Sequence, residues 1–106
     1  MRVYIAGPMS TLAEHNYPAF HASAEALEAA GYEPVSPAVD HGHPPGSMPW
    51  QWYMRRAVAL LMTADAVALL DGWEASRGAG VEVDIATALG IPVWPLGEWL
   101  RLRDVS

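Results

Sequence analysis

A chain of 106 residues, 52% apolar and with a formal net charge of −6, can bury one core and lacks the basic face that a nucleic-acid polymer demands. All six basic side chains are arginine and there is no cysteine, which excludes Schiff-base or phosphate-loop lysine chemistry, disulfides and thiolate metal sites. No apolar run reaches the length of a membrane span, and residues 1–7 are too short for a signal peptide, so the expectation is a single cytoplasmic domain over residues 1–106 with no membrane partner. Five tryptophans and a mean hydropathy of +0.10 predict that part of the apolar surface meets a second copy, as a homodimer or larger assembly.

Residues 3–6 predict a short buried strand that stops at Gly7-Pro8, and residues 9–16 a polar loop. Phe20, Ala24, Leu27 and Ala30 recur at helical spacing over 17–30, and Gly31 follows as a C-terminal cap. Residues 32–35 predict a second strand, near an edge because Pro34 cannot donate to a ladder. Pro37, Pro44, Pro45 and Pro49, with Gly42 and Gly46, make residues 36–49 a loop, and a loop of that length in a small domain is usually functional.

The second helix is predicted over 50–63 and the third strand over 66–70. A third helix over 79–89 closes at Gly90, a fourth strand covers 91–94, and a short helix covers 97–103. Strands alternating with helices predict an α/β fold: a flavodoxin- or Rossmann-like three-layer sandwich on a four-stranded parallel sheet, order 2-1-3-4. Ligands of such sheets bind beyond the carboxyl ends of the strands. The loops at 7–16, 36–49 and 71–80 converge there.

The stretch from Asp71 to Glu82 carries the most chemistry. Ser76, Gly78 and Gly80 lie at a strand-to-helix junction, where exposed N–H groups suit a phosphate or carboxylate; Ser76 also serves as a plain helix cap. Glu82 follows about one turn into the helix. A carboxylate there is favoured by the helix dipole alone, but the small residues before it leave room for a sugar to reach it. Such a group can attack an anomeric carbon or stabilise an oxocarbenium-like transition state. Asp84 falls on the other side and is expected in solvent.

Gly7, Pro8 and Met9 end the first strand but form no dinucleotide fingerprint. Asp40, His41 and His43 lack a clear third ligand, so contact with a base or sugar is expected in preference to a metal, and a mobile, solvated loop ahead of either. Trp50, Trp52, Tyr53 and Trp73 offer stacking faces, although aromatics at helical spacing more often form core or a dimer interface.

These residues give a resemblance. The chain resembles the nucleoside 2-deoxyribosyltransferase-like superfamily, which includes 2′-deoxynucleoside 5′-monophosphate N-glycosidases. Tyr4-Ile5-Ala6-Gly7-Pro8-Met9, Ala64-Asp65-Ala66-Val67, Gly90-Ile91-Pro92-Val93 and, most specifically, the run from Ser76 through Gly78, Gly80 and Val81 to Glu82 carry it across the whole chain. The resemblance implies Glu82 as a nucleophile that takes the deoxyribosyl group. It implies a 5′-phosphate seat at Ser76, Gly78 and Gly80, and sugar or base contacts from Gly7, Pro8, Met9, Asp40, His41, Asp71 and Trp73. No cofactor and no metal are implied; the partner is a small nucleoside or nucleotide. Hydrolysis and transfer differ only in whether water or a second base accepts the sugar. The resemblance also implies an Asp eight residues before Asp65, where this chain has Ala57. The alternative is therefore a catalytically silent nucleotide-binding or regulatory protein of the same fold.

Overall fold

The computed structural model describes residues 1–9, 13–39, 42–44 and 46–104. Strands β1 (Arg2–Ala6), β2 (Glu33–Val35), β3 (Ala66–Leu69) and β4 (Val93–Pro95) alternate with helices α1 (Tyr17–Ala29), α2 (Trp50–Leu61), α3 (Arg77–Ala88) and α4 (Leu96–Asp104). All neighbours pair in parallel, in the order β2-β1-β3-β4. The expected α/β sandwich and strand order are therefore the observed ones, with Pro34 in the edge strand β2.

Alternation along the central strands divides the core into two layers. Val3, Ile5, Ala66 and Ala68 join Phe20 and Leu27 of α1 and Trp99 of α4. Tyr4, Ala6, Val67 and Leu69 join Ala57 and Leu61 of α2 and Ala79 and Ala86 of α3. Because both faces are covered, β1 and β3 are nearly continuous apolar runs. Trp99 anchors the first layer: its indole N–H donates to the Val67 carbonyl at 2.8 Å, while its own carbonyl accepts from the Tyr32 hydroxyl at 2.9 Å. Each buried polar atom of that ring system is thus satisfied.

The carboxyl ends of β1 and β3 stay close beyond their ladder. The Leu70 amide donates to the Ala6 carbonyl at 2.9 Å. At Gly7 a β-carbon would lie 2.8 Å from the Leu70 β-carbon, so only glycine lets the two chain ends meet here.

Element boundaries differ from the sequence reading by one to two residues, and three of the differences bear on the site or the sheet. Helix α3 starts at Arg77, earlier than the predicted 79, because Ser76 caps it: the Ser76 hydroxyl oxygen accepts from the Ala79 amide at 3.2 Å. Strand β4 starts at Val93, although the Pro92 carbonyl already accepts from the Val67 amide at 2.9 Å. The predicted loop over 9–16 ends in a short turn, Ala13–Asn16, whose backbone is left-handed at Glu14 and His15.

Candidate active site

Tyr4 occupies the middle of β1 and has no solvent exposure; it points to the layer formed by α2 and α3. Glu82 comes from α3, on the face that also buries Ala79 and Ala86, and is 5% exposed. The Tyr4 hydroxyl donates to the Glu82 carboxylate oxygen Oε2. A carboxylate so far from water is costly unless bonded, and this hydrogen bond is its compensation. Burial pushes the Glu82 pKa from its ordinary 4.5 up to about 7, with the Tyr4 hydrogen bond pulling it back down. The Tyr4 phenol is held well above its ordinary value by burial first, then by the Glu82 charge and their shared hydrogen bond. Tyr4 therefore keeps its proton and remains the donor.

These two side chains lie in the wall of a cavity of about 460 Å³. The loop after β1 lends it Gly7, Met9 and His15; α1 lends Tyr17 and Phe20; the loop after β2 lends Pro37 and Gly46. From α2 come Trp50, Tyr53, Met54, Arg56, Ala57 and Leu60, and from the start of α3 Ser76, Arg77, Gly78 and Ala79. The volume suits a small organic ligand, and the location at the carboxyl ends of β1 and β2 matches the general rule for such sheets.

The α3 end of the cavity has the character of an anion seat. The N–H groups of Arg77 and Gly78 open the helix and have no carbonyl partner within it. The Ser76 hydroxyl caps beside them. The Arg77 guanidinium lies 3.8 Å from the Trp50 ring centroid, and Arg56 sits over Trp52 at 5.1 Å. Two arginines thus meet one cavity in a chain whose net charge is −6. Gly78 also packs closely against α2: a β-carbon there would lie 3.1 Å from the Met54 sulfur, which would have to give by a few tenths of an ångström.

Of the residues singled out from sequence, Gly7, Met9, Ser76, Gly78 and Glu82 line the cavity. Gly80, Pro8, Asp71 and Trp73 stand outside that lining. The Gly80 amide is spent on the Ser76 carbonyl at 3.0 Å, and a β-carbon at Gly80 would meet nothing within 4 Å. Pro8 lies beside Gly72, where a β-carbon would be 3.5 Å from the proline ring, and its carbonyl accepts from the Asn16 amide group at 2.9 Å. Asp71 is exposed, and the turn Trp73–Ala75 that follows Gly72 packs Trp73 against the α2/α3 layer. Asp40 and His41 lie outside the described residues. Asp84 is exposed, as expected.

Tyr4, His15, Tyr17, Arg56 and Arg77 were not expected as lining residues, and Trp50 and Tyr53 were expected mainly in core or interface. The period-2 pattern of β1 was the available signal for Tyr4, since it puts a phenol on the same face as Ala6. Among the described residues, no three His, Asp or Glu side chains form a metal-binding group.

The sheet order and the flanking helices define a parallel α/β sandwich, and its fold is 2-deoxyribosyltransferase-like. The solved 2-deoxyribosyltransferase of the psychrotolerant bacterium Bacillus psychrosaccharolyticus is similar, with a TM-score of 0.66 and 18% identity over 88% of this chain and 69% of that one. The chain belongs to the family described as a domain of unknown function, DUF4406, which matches residues 1–94. No curated protein matches it. Among the described residues, no helix is long and apolar enough to cross a membrane.

Proposed function

We propose that the chain cleaves or transfers the N-glycosidic bond of a (deoxy)nucleoside or its 5′-monophosphate, with Glu82 as nucleophile. The observation that carries this reading is a buried carboxylate, hydrogen-bonded by Tyr4, in the wall of a cavity that also takes in the N-terminus of the same helix and two arginines. A structural carboxylate would gain more from solvent than from such a place. One facing the anomeric carbon gains from desolvation, which leaves it poorly solvated and reactive. The name of the similar solved structure, a 2-deoxyribosyltransferase, is in keeping with this chemistry.

In this reading Glu82 attacks C1′ as the base departs, and water or a second base then takes the sugar. Ser76, Arg77 and Gly78 hold the phosphate end, while Trp50, Tyr53 and Met9 offer apolar surface to base and sugar. The reaction asks for no cofactor and no metal. We further propose a single cytoplasmic domain that forms a homodimer; exposed Met62, Leu89, Trp94 and Leu102 are apolar surface for such a contact.

The second reading, a silent nucleotide-binding protein, is favoured by one observation: Ala57 lies in the lining and presents no carboxyl. Incubation with a panel of nucleosides and monophosphates separates the two. Release of free base that vanishes in Glu82→Gln supports the enzyme. Tight binding without release, unchanged in Glu82→Gln, supports the silent protein.

A further inference from the structure

Glu14 (φ 54°), His15 (φ 52°) and Asn16 (φ 60°) hold left-handed backbone one after another, with no glycine among them. Residues with a β-carbon adopt this region at a cost, and a run of three persists only where the surroundings impose it. The Asn16 side chain fixes one end by donating to the Pro8 carbonyl. The consequence is the position of His15, whose ring enters the cavity wall beside Gly46. A β-carbon at Gly46 would lie 2.9 Å from His15 Cε1 and 3.4 Å from Nε2. The loop after β2 therefore places a residue without a side chain where the imidazole comes.

A departing nucleobase needs a proton on nitrogen, and few of the described lining residues are able to give one. Glu82 is the only carboxyl among the described lining residues, and its task is to attack. The Tyr4 proton is committed to Glu82. Guanidinium groups do not release protons near neutrality, and phenols do so poorly. An imidazole exchanges a proton in that range.

We propose that His15 is the proton donor to the leaving base, an assignment that rests on N-glycosidic cleavage at Glu82. The C1′–N bond breaks with its electron pair passing to the base. The imidazolium N–H proton moves to a base nitrogen, and a Glu82 oxygen bonds to C1′. In the second half, water oxygen bonds to C1′, the Glu82–C1′ bond breaks to restore the carboxylate, and the water proton returns to the neutral imidazole.

The test uses His15→Asn, because asparagine accepts left-handed backbone and keeps the segment folded. Base release is measured from a purine deoxynucleoside 5′-monophosphate and from its N7-methylated counterpart, whose base leaves neutral without taking up a proton. The variant is expected to lose on the order of 10²-fold in kcat on the first and less than about threefold on the second. His15→Gly, which also tolerates this backbone, is expected to regain activity with added imidazole. Equal losses on both substrates, or no loss on the unmethylated one, would overturn the role of His15 while leaving Glu82 in place. Wild-type protein that releases base from neither substrate would overturn the Glu82 reading, and His15 with it.

Discussion

The Tyr4 hydroxyl reaches across 78 residues of sequence to hold the Glu82 carboxylate in the cavity wall. Tyr4 has no exposure and Glu82 almost none, so the strength of the pair is set by a low local dielectric. The same burial that pushes the Glu82 pKa up to about 7 puts its ionisation within the working range of an enzyme.

Tyr4→Phe removes the donor and keeps the ring. The Tyr4 hydrogen bond lowers the Glu82 pKa, so its loss raises that value above about 7. A hydrogen bond to a charged group contributes about 1.5–3 kcal/mol, equivalent to roughly one to two pH units. The rising limb of kcat/KM against pH should move to higher pH by that order. A limb that stays in place would show that the hydroxyl does not tune this carboxylate.

Glu82→Gln should stabilise the protein in a pH-dependent way. The folded pKa of about 7 lies above the ordinary 4.5, so the native state retains a proton that the unfolded chain gives up. Wild-type stability is then fully present below about pH 4.5, falls as pH rises through 7, and levels off above it. Glutamine carries no such charge. The variant's advantage should grow over that window to roughly 3 kcal/mol, measured by urea unfolding at several pH values. A gap independent of pH would mean that Glu82 ionises in the folded protein as it does in water.

Much of the fold was legible because local signals agreed with one another. The apolar runs 3–6 and 66–70, separated by helical spacings, define a parallel sheet, and Gly31 and Gly90 mark helix ends. The start of α3 was less clear: the reading placed it at 79, and the Ser76 cap sets it at Arg77. The site was harder to read where it depends on distant partners. Nothing local to Tyr4 reveals a carboxylate 78 positions away. On α2, Trp50, Tyr53 and Met54 have the spacing of a core face, and a cavity wall has the same periodicity as a core. The left-handed turn at Glu14, His15 and Asn16 contains no glycine to announce it. Gly80 looked equivalent to Gly78, but the first turn of α3 uses its amide internally.

Ser76→Ala separates capping from ligand binding. Losing the cap to the Ala79 amide should cost about 1 kcal/mol of stability. If the hydroxyl also meets a phosphate, affinity for a monophosphate should fall by several-fold more than affinity for the free nucleoside, as read by calorimetric titration. Equal weakening of both ligands would remove Ser76 from the phosphate seat and leave it a cap.

Ala57→Asp tests which proton donor the cavity uses. Ala57 is 8% exposed and lies in the same lining as Glu82 and His15, so an aspartate there places a second carboxyl in one poorly solvated space. Two carboxyls in such a space raise each other's pKa, and the Glu82 limb should move to higher pH. A carboxyl held protonated in this way can serve the leaving base. If His15 carries that proton in the natural protein, Ala57→Asp should restore a large part of the turnover lost in His15→Asn, by on the order of tenfold or more. If the natural chain is silent, Ala57→Asp alone should create base release where there was none. Restoration in the double variant, with an active wild type, assigns the proton to the loop after β1; failure to restore it, with the variant shown to be folded, would place Ala57 out of reach of the base.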